Sequence, residues 1–137
     1  MNPRRVSLFL VALVLAVGGC RTQPPSHTVD AEFTLETAMF EGRMVFMGVG
    51  GEIDGLVNPD LNVDAGDTVR VVLVNDDGIP HDFAVPDLDA QTSLVMAKGQ
   101  TAEAVFQAGK PGEFDYYCAV AGHRQMGMEG ELIVHEP

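Results

Sequence analysis

Near the C-terminal end, the run "CAVAGHRQMGM" gathers a thiol, an imidazole and two thioethers: Cys118, His123, Met126 and Met128. Singly, each is commonplace. A lone buried cysteine behaves as a small hydrophobe, and methionine fills gaps in cores. Together they read as one metal-binding loop, with Cys118, His123 and Met128 as ligands in the spacing Cys-x4-His-x4-Met. Gly122, Gly127 and Gly130 would let the backbone wrap closely around an ion. A further donor must come from elsewhere, and His81 is the best placed. It opens "HDFAVP" directly after the turn "NDDGIP", at the edge of a strand. His135, in the C-terminal tail, is expected at the surface, and His27 in solvent.

The donor types narrow the metal. Thiolate and thioether are soft donors, and two imidazoles with a thiolate and a weak axial thioether form the site used for blue-copper electron transfer. Zinc prefers four strong ligands in a tetrahedron, and thioether serves it poorly. The reading is therefore copper.

These residues need a scaffold that brings two distant segments together. From Ala31 onward the apolar pattern has period two. "EFTLETA", "RMVFMG", "LNVDAGDTVRVVLVN", "HDFAVP", "SLVMA", "TAEAVFQ", "GEFDYYC" and "GELIVHE" alternate or run apolar between glycine-, proline- and aspartate-rich turns. No segment has a sustained helical period, although Asp87 to Gln91 would fit one short turn. About eight short strands at this spacing predict an all-β Greek-key sandwich. A chain of 137 residues is enough for one such core.

With those residues in view, 31–137 resemble a cupredoxin of the plastocyanin/azurin group. "YYC…GH…GMEG" is similar to the plastocyanin loop in its start and end, while its Cys-to-His gap has the length found in azurins. "VDAGDTVRVVLVNDDGIPHDFAVPD" resembles the strand pair that carries the first histidine. Small bacterial cupredoxins, and cupredoxin domains attached to copper nitrite reductases, look most alike. The resemblance implies His81, Cys118 and His123 as strong ligands of a single type 1 copper and Met128 as the axial ligand, with Met126 its rival. Asn75 and Asp82 would support the ligands from behind. Many relatives carry asparagine where this chain has Asp82, which could accept a hydrogen bond from the Cys118 loop but not donate one when ionised. Gly122 stands where a binuclear site would carry a second cysteine. His123 would pass electrons through an apolar patch of Ile79, Pro80, Val120, Ala121 and Met126. Tyr117 resembles a second exit route, or simply packs against its sheet.

The N-terminus, "MNPRRVSLFLVALVLAVGGC", has a charged start at Arg4 and Arg5 and an apolar run from Val6 to Val17 broken by Ser7. It has the layout of a signal peptide over residues 1–19. "VGGC" resembles a bacterial lipobox, which would lipidate Cys20 and leave residues 20–30 as a tether; an uncleaved anchor or plain secretion are the alternatives. The folded part is then exported, facing the periplasm or the cell exterior on a lipid anchor. Cys118 is left unpaired there unless it bridges to Cys20.

Charge excludes one class of partner. The chain has 8 Lys+Arg against 20 Asp+Glu, a net charge of −12. Residues 1–19 hold two arginines and no acid, so their removal takes it to −14. Such a surface repels nucleic acid and favours basic partners, or reflects a saline habitat. The expected function is one-electron transfer by a monomer that is not an enzyme. A c-type cytochrome, a copper nitrite reductase or a terminal oxidase would be its transient partner, with the membrane reached through the lipid. The alternative is copper binding and delivery. Met39, Met44, Met47, Met96, Met126 and Met128 suggest it, but they are scattered along the chain, and core packing is expected to account for most.

Overall fold

The structure is a computed structural model and describes residues 28–137. Residues 1–27, and with them the expected signal peptide, Cys20, His27 and most of the tether, lie outside the described residues.

Nine strands are present: β1 (Ala31–Phe40), β2 (Arg43–Val49), β3 (Leu61–Asp64), β4 (Thr68–Val74), β5 (Ala84–Val85), β6 (Ala90–Gln91), β7 (Thr101–Gln107), β8 (Gly112–Tyr117) and β9 (Glu129–His135). They form two sheets, in the orders β2-β1-β4-β7 and β3-β9-β8-β5-β6. The β1–β4 and β3–β9 pairs are parallel and the others antiparallel. The all-β sandwich anticipated from the alternation is therefore observed, with only three single turns of 3-10 helix among the described residues.

The sequence overreached in the middle of the chain. "HDFAVP" shrinks to the two-residue β5, and "SLVMA" contains no strand. Val95 makes only an isolated bridge to His81. Pro80 and Pro86 bracket this region, and proline cannot donate to a ladder. A single turn at Pro86–Leu88 and the short β6 then occupy the stretch expected to hold one turn.

Period-two alternation builds the core and, at its upper end, the site. Along β8, Phe114 and Tyr116 point inward, and Cys118 continues that face one step beyond the strand. Leu132 and Val134 do the same on β9, with Met128 just before it, and His81, Phe83 and Val85 around β5. Phe46, Phe83 and Tyr116 pack with ring centroids 5.2–6.0 Å apart. The sulfur and nitrogen donors form the next layer above that aromatic floor, so they share the burial of the core. Gly130 does not curl the loop around an ion, as expected from the sequence. It lies within β9, and a Cβ there would meet the Tyr116 phenol at 2.4–2.9 Å. Its missing side chain lets the Tyr116 hydroxyl donate to the Pro59 carbonyl at 2.7 Å.

Candidate metal centre

Two loops meet at one end of the sandwich. The first, from Asn75 to His81, follows β4. Asn75 is fully buried, and its side chain knots the loop. Its Nδ2 donates to the carbonyls of Ile79 at 2.6 Å and Val95 at 3.1 Å, and its Oδ1 accepts the Gly78 N–H at 2.7 Å. The His81 backbone is paired in both directions with Val95. The second loop, from Cys118 to Met128, is held mainly by its own backbone. The N–H of Cys118 donates to the Met128 carbonyl, that of Met128 to His123, and that of His123 to Val120, each at 3.1 Å. Gly122 and Gly127 sit at φ 88° and 102°, which glycine adopts without a Cβ penalty.

The loops bring His81, Cys118 and His123 together. The Cys118 Sγ lies 3.4 Å from the His123 Nδ1 and 3.8 Å from the His81 Nδ1, and the two Nδ1 atoms are 3.1 Å apart. These three donor atoms form the single metal-compatible cluster of His, Cys, Asp or Glu side chains among the described residues, all within 4.8 Å of one another. His81 and Cys118 are sealed at 0% and 1% exposure, whereas His123 keeps 9%. Met128 is completely buried, and Met126 is 41% exposed. The thioether inside the fold is thus Met128, and Met126 is on the rim. Ile79, Pro80 and Val120 are half-buried, and Ala121 is exposed.

Burial sets the protonation of the metal-free site. It pushes the Cys118 thiol up to about 11, because a thiolate is costly away from water. His123 is pushed down, first by burial and then by His81 beside it. At neutral pH the cluster therefore consists of a thiol and an imidazole with a free lone pair, and a thiophilic ion would displace the thiol proton on entry. Two imidazole nitrogens and a sulfur converging inside a core with no acid among them suit copper better than a hard cation.

The surrounding hydrogen bonds include two residues the sequence reading marked and two it missed. Asn75 has the role just described. Asp82 accepts the Ala119 N–H at 2.6 Å and the Gln91 amide at 2.8 Å, so it ties the first loop to the start of the second. Asp77 was missed. Both its oxygens face the His81 Nε2, at 2.9 and 3.1 Å, and one also accepts the Ile79 N–H at 2.8 Å. Asn58 was missed as well. At φ 47° it exchanges hydrogen bonds with the Phe46 backbone and donates from Nδ2 to the Gly127 carbonyl at 2.8 Å. "DDGIPH" places an acid four residues before the histidine and offered a signal for Asp77; nothing in the sequence connects Asn58 with Gly127.

Tyr117 is half-buried on the outer face of β8, beneath Arg124, whose guanidinium carbon lies 4.2 Å from the ring centroid. Arg124 also pairs with Asp115 at 2.7 Å and Glu129 at 2.6 Å. His135 is exposed at the end of β9 against Asn62, away from the cluster. Cys118 makes no disulfide among the described residues. Core packing does not account for most of the methionines. Met39, Met96 and Met126 are 41–55% exposed, Met44 and Met47 are half-buried, and only Met128 is fully inside. The exposed ones lie at strand ends and in loops, beyond the reach of the sandwich interior.

Comparison with known proteins agrees with this geometry. The family model for the cupredoxin-like domain matches residues 52–134. The copper-resistant cuproprotein CopI of Rubrivivax gelatinosus is 33% identical over 92 residues, covering 54% of this chain and 56% of that protein. The chain thus spans about half the length of this curated relative. Among solved structures, the copper-containing nitrite reductase of Thermus scotoductus superposes with a TM-score of 0.58 at 31% identity, over 77% of this chain and 28% of that one. Auracyanin B has the same fold, with a TM-score of 0.57 at 20% identity over 78% of this chain and 90% of that one. With the matched family model spanning both loops and the strands that carry them, the chain belongs to the cupredoxin-like domain family.

Proposed function

We propose that the chain is a one-electron carrier that holds a single type 1 copper ion between His81, Cys118 and His123, with the buried Met128 thioether as the weak fourth donor. The observation that carries the reading is the convergence of one sulfur and two nitrogens from two loops in a buried layer. Copper bound there would supply a one-electron couple at an atom sealed from solvent. The protein's own part is to fix the donors, so that little rearranges as charge changes. His123 is the ligand nearest the surface, and the apolar residues around it, Ile79, Pro80, Val120, Ala121 and Met126, offer a small docking face. A basic c-type cytochrome, a nitrite reductase or a terminal oxidase would suit the acidic chain as a transient partner. The domain would work as a monomer outside the cytoplasm, tethered through lipid on Cys20.

An enzymatic role would need a copper position open to substrate. The adjoining depression, lined by Tyr117 to Gly122 with Arg124 and Gln125, is about 260 Å³. Turnover of nitrite or oxygen by the copper-loaded protein would support an enzyme instead. Copper binding and delivery is the second reading. It is favoured by the copper-resistant relative and by the exposed thioethers of Met39, Met96 and Met126. Reconstitution with Cu(II) separates the two. An electron carrier shows an intense red–orange absorption that reductant bleaches and oxidant restores, and Cys118→Ser abolishes it. A colourless protein that retains only Cu(I) would support delivery, and a blue Cys118→Ser variant would overturn the ligand assignment.

A further inference from the structure

Resting on the copper reading, we propose that Asp77 is a positioning residue for the centre: through His81 it fixes the ligating nitrogen and biases the site toward Cu(II). The His81 ring has two nitrogens with separate duties. Nδ1 faces the Cys118 sulfur and the His123 Nδ1, while Nε2 faces the Asp77 carboxylate at 2.9 and 3.1 Å. A carboxylate only accepts, so the ring proton belongs on Nε2 and the Nδ1 lone pair is left pointing at the cluster. Asp77 is itself fixed, because it also accepts the Ile79 N–H at 2.8 Å. His81 is fully buried and the Asp77 side chain is only 12% exposed, so water screens this pair poorly.

As a carboxylate, Asp77 would place negative charge one imidazole away from a bound ion. It makes the ring a stronger donor and favours the more highly charged oxidation state. Asp82, the other acid beside His81, is committed to Ala119 and Gln91 and does not contact the ring among the hydrogen bonds described. The two acids therefore divide the work: Asp82 joins the loops, and Asp77 acts on the ligand.

The test compares wild type with Asp77→Asn, which keeps the size and an oxygen for the Ile79 N–H but removes the charge. Cu(II) and Cu(I) affinities are measured by chelator competition, and the midpoint potential by optical titration. The expected result is an approximately 10–100-fold loss of Cu(II) affinity with a smaller loss for Cu(I). Each tenfold difference between the two raises the potential by about 59 mV. Equal losses with an unchanged potential would overturn the assignment and leave Asp77 a purely structural residue of its turn. Nitrogen NMR of the metal-free wild type gives a second measurement that needs no variant: the His81 proton is expected on Nε2, and a proton on Nδ1 overturns the proposal. If wild type binds copper without the intense visible band, the electron-carrier reading fails alone, since the paired affinities still decide the role of Asp77.

Discussion

The loop from Asn75 to His81 and the loop from Cys118 to Met128 supply donors to the same cluster but are held by different chemistry. In the first, side chains do the holding. Asn75 makes three hydrogen bonds to backbone, and Asp77 braces both its own turn and the His81 ring. In the second, the main-chain bonds between Cys118, Val120, His123 and Met128 close the loop, and glycines provide the unusual angles. A loop knotted by buried side chains resists displacement and keeps its histidine at 0% exposure. The longer loop, closed by its own backbone, leaves its histidine slightly less buried, at 9% exposure. On the copper reading, the first loop fixes one ligand, and the second fixes another while leaving a third less enclosed.

The comparison breaks most readily at Asn75. Asn75→Ala removes a buried side chain and leaves the Gly78 N–H and two carbonyls without these partners. At about 1 kcal/mol for each lost bond, the expected destabilisation of the metal-free protein is about 2–4 kcal/mol, read from urea unfolding. Asn58→Gly, which removes the side chain tying Phe46 to Gly127 while tolerating the φ of 47° there, should cost less, about 1–2 kcal/mol, because the backbone bonds of the second loop remain. If Asn58→Gly proved the more damaging, the second loop would depend on side chains after all.

The two loops also differed in how far the sequence revealed them. Cys118, His123 and Met128 are within eleven residues, and a loop fixed by local backbone bonds leaves its spacing in the sequence. The alternation of Phe114, Tyr116 and Cys118 was legible for the same reason, since a strand has period two. Asn58 acts on a carbonyl 69 residues away, and such a contact exists only after the sheets have assembled. Gly130 was legible as a glycine but not as the space for Tyr116, because its partner lies on the neighbouring strand. The central strands failed for a related reason. Val95 is buried and apolar, so it reads as strand, but its backbone is taken by His81 and by the Asn75 side chain.

A pH scan sharpens the view of the second loop as a place where burial was accepted for chemistry. The metal-free Cys118 thiol is raised to about 11 from an ordinary 9.0. Below about pH 9 both folded and unfolded chains keep the thiol proton. Above that the unfolded chain releases it first, so stability falls as pH rises and this contribution is gone once the folded thiol ionises near 11. Cys118→Ser should flatten that part of the profile in the metal-free protein, measured as the difference in unfolding free energy between the two proteins at each pH. Parallel profiles would show that the thiol is not held neutral by its surroundings.

The smallest effect expected is at Arg124, the residue after His123. It covers Tyr117 and pairs with Asp115 and Glu129, but these acids are 61% and 46% exposed and the guanidinium group is 37% exposed. Exposed ion pairs contribute about 0–1 kcal/mol each and weaken with salt. Arg124→Gln should therefore change stability by less than about 1 kcal/mol, whereas, on the proposed electron-carrier reading, its effect on electron exchange should be larger in proportion. Removing the cation uncovers Tyr117 and leaves Asp115 and Glu129 uncompensated beside the site. The second-order rate with a basic cytochrome should rise, and depend more steeply on ionic strength, while exchange with an uncharged small reductant stays the same. A rate that is unchanged with the cytochrome at low salt would place docking on the His123 face alone and leave Arg124 as a surface brace for the backbone-closed loop.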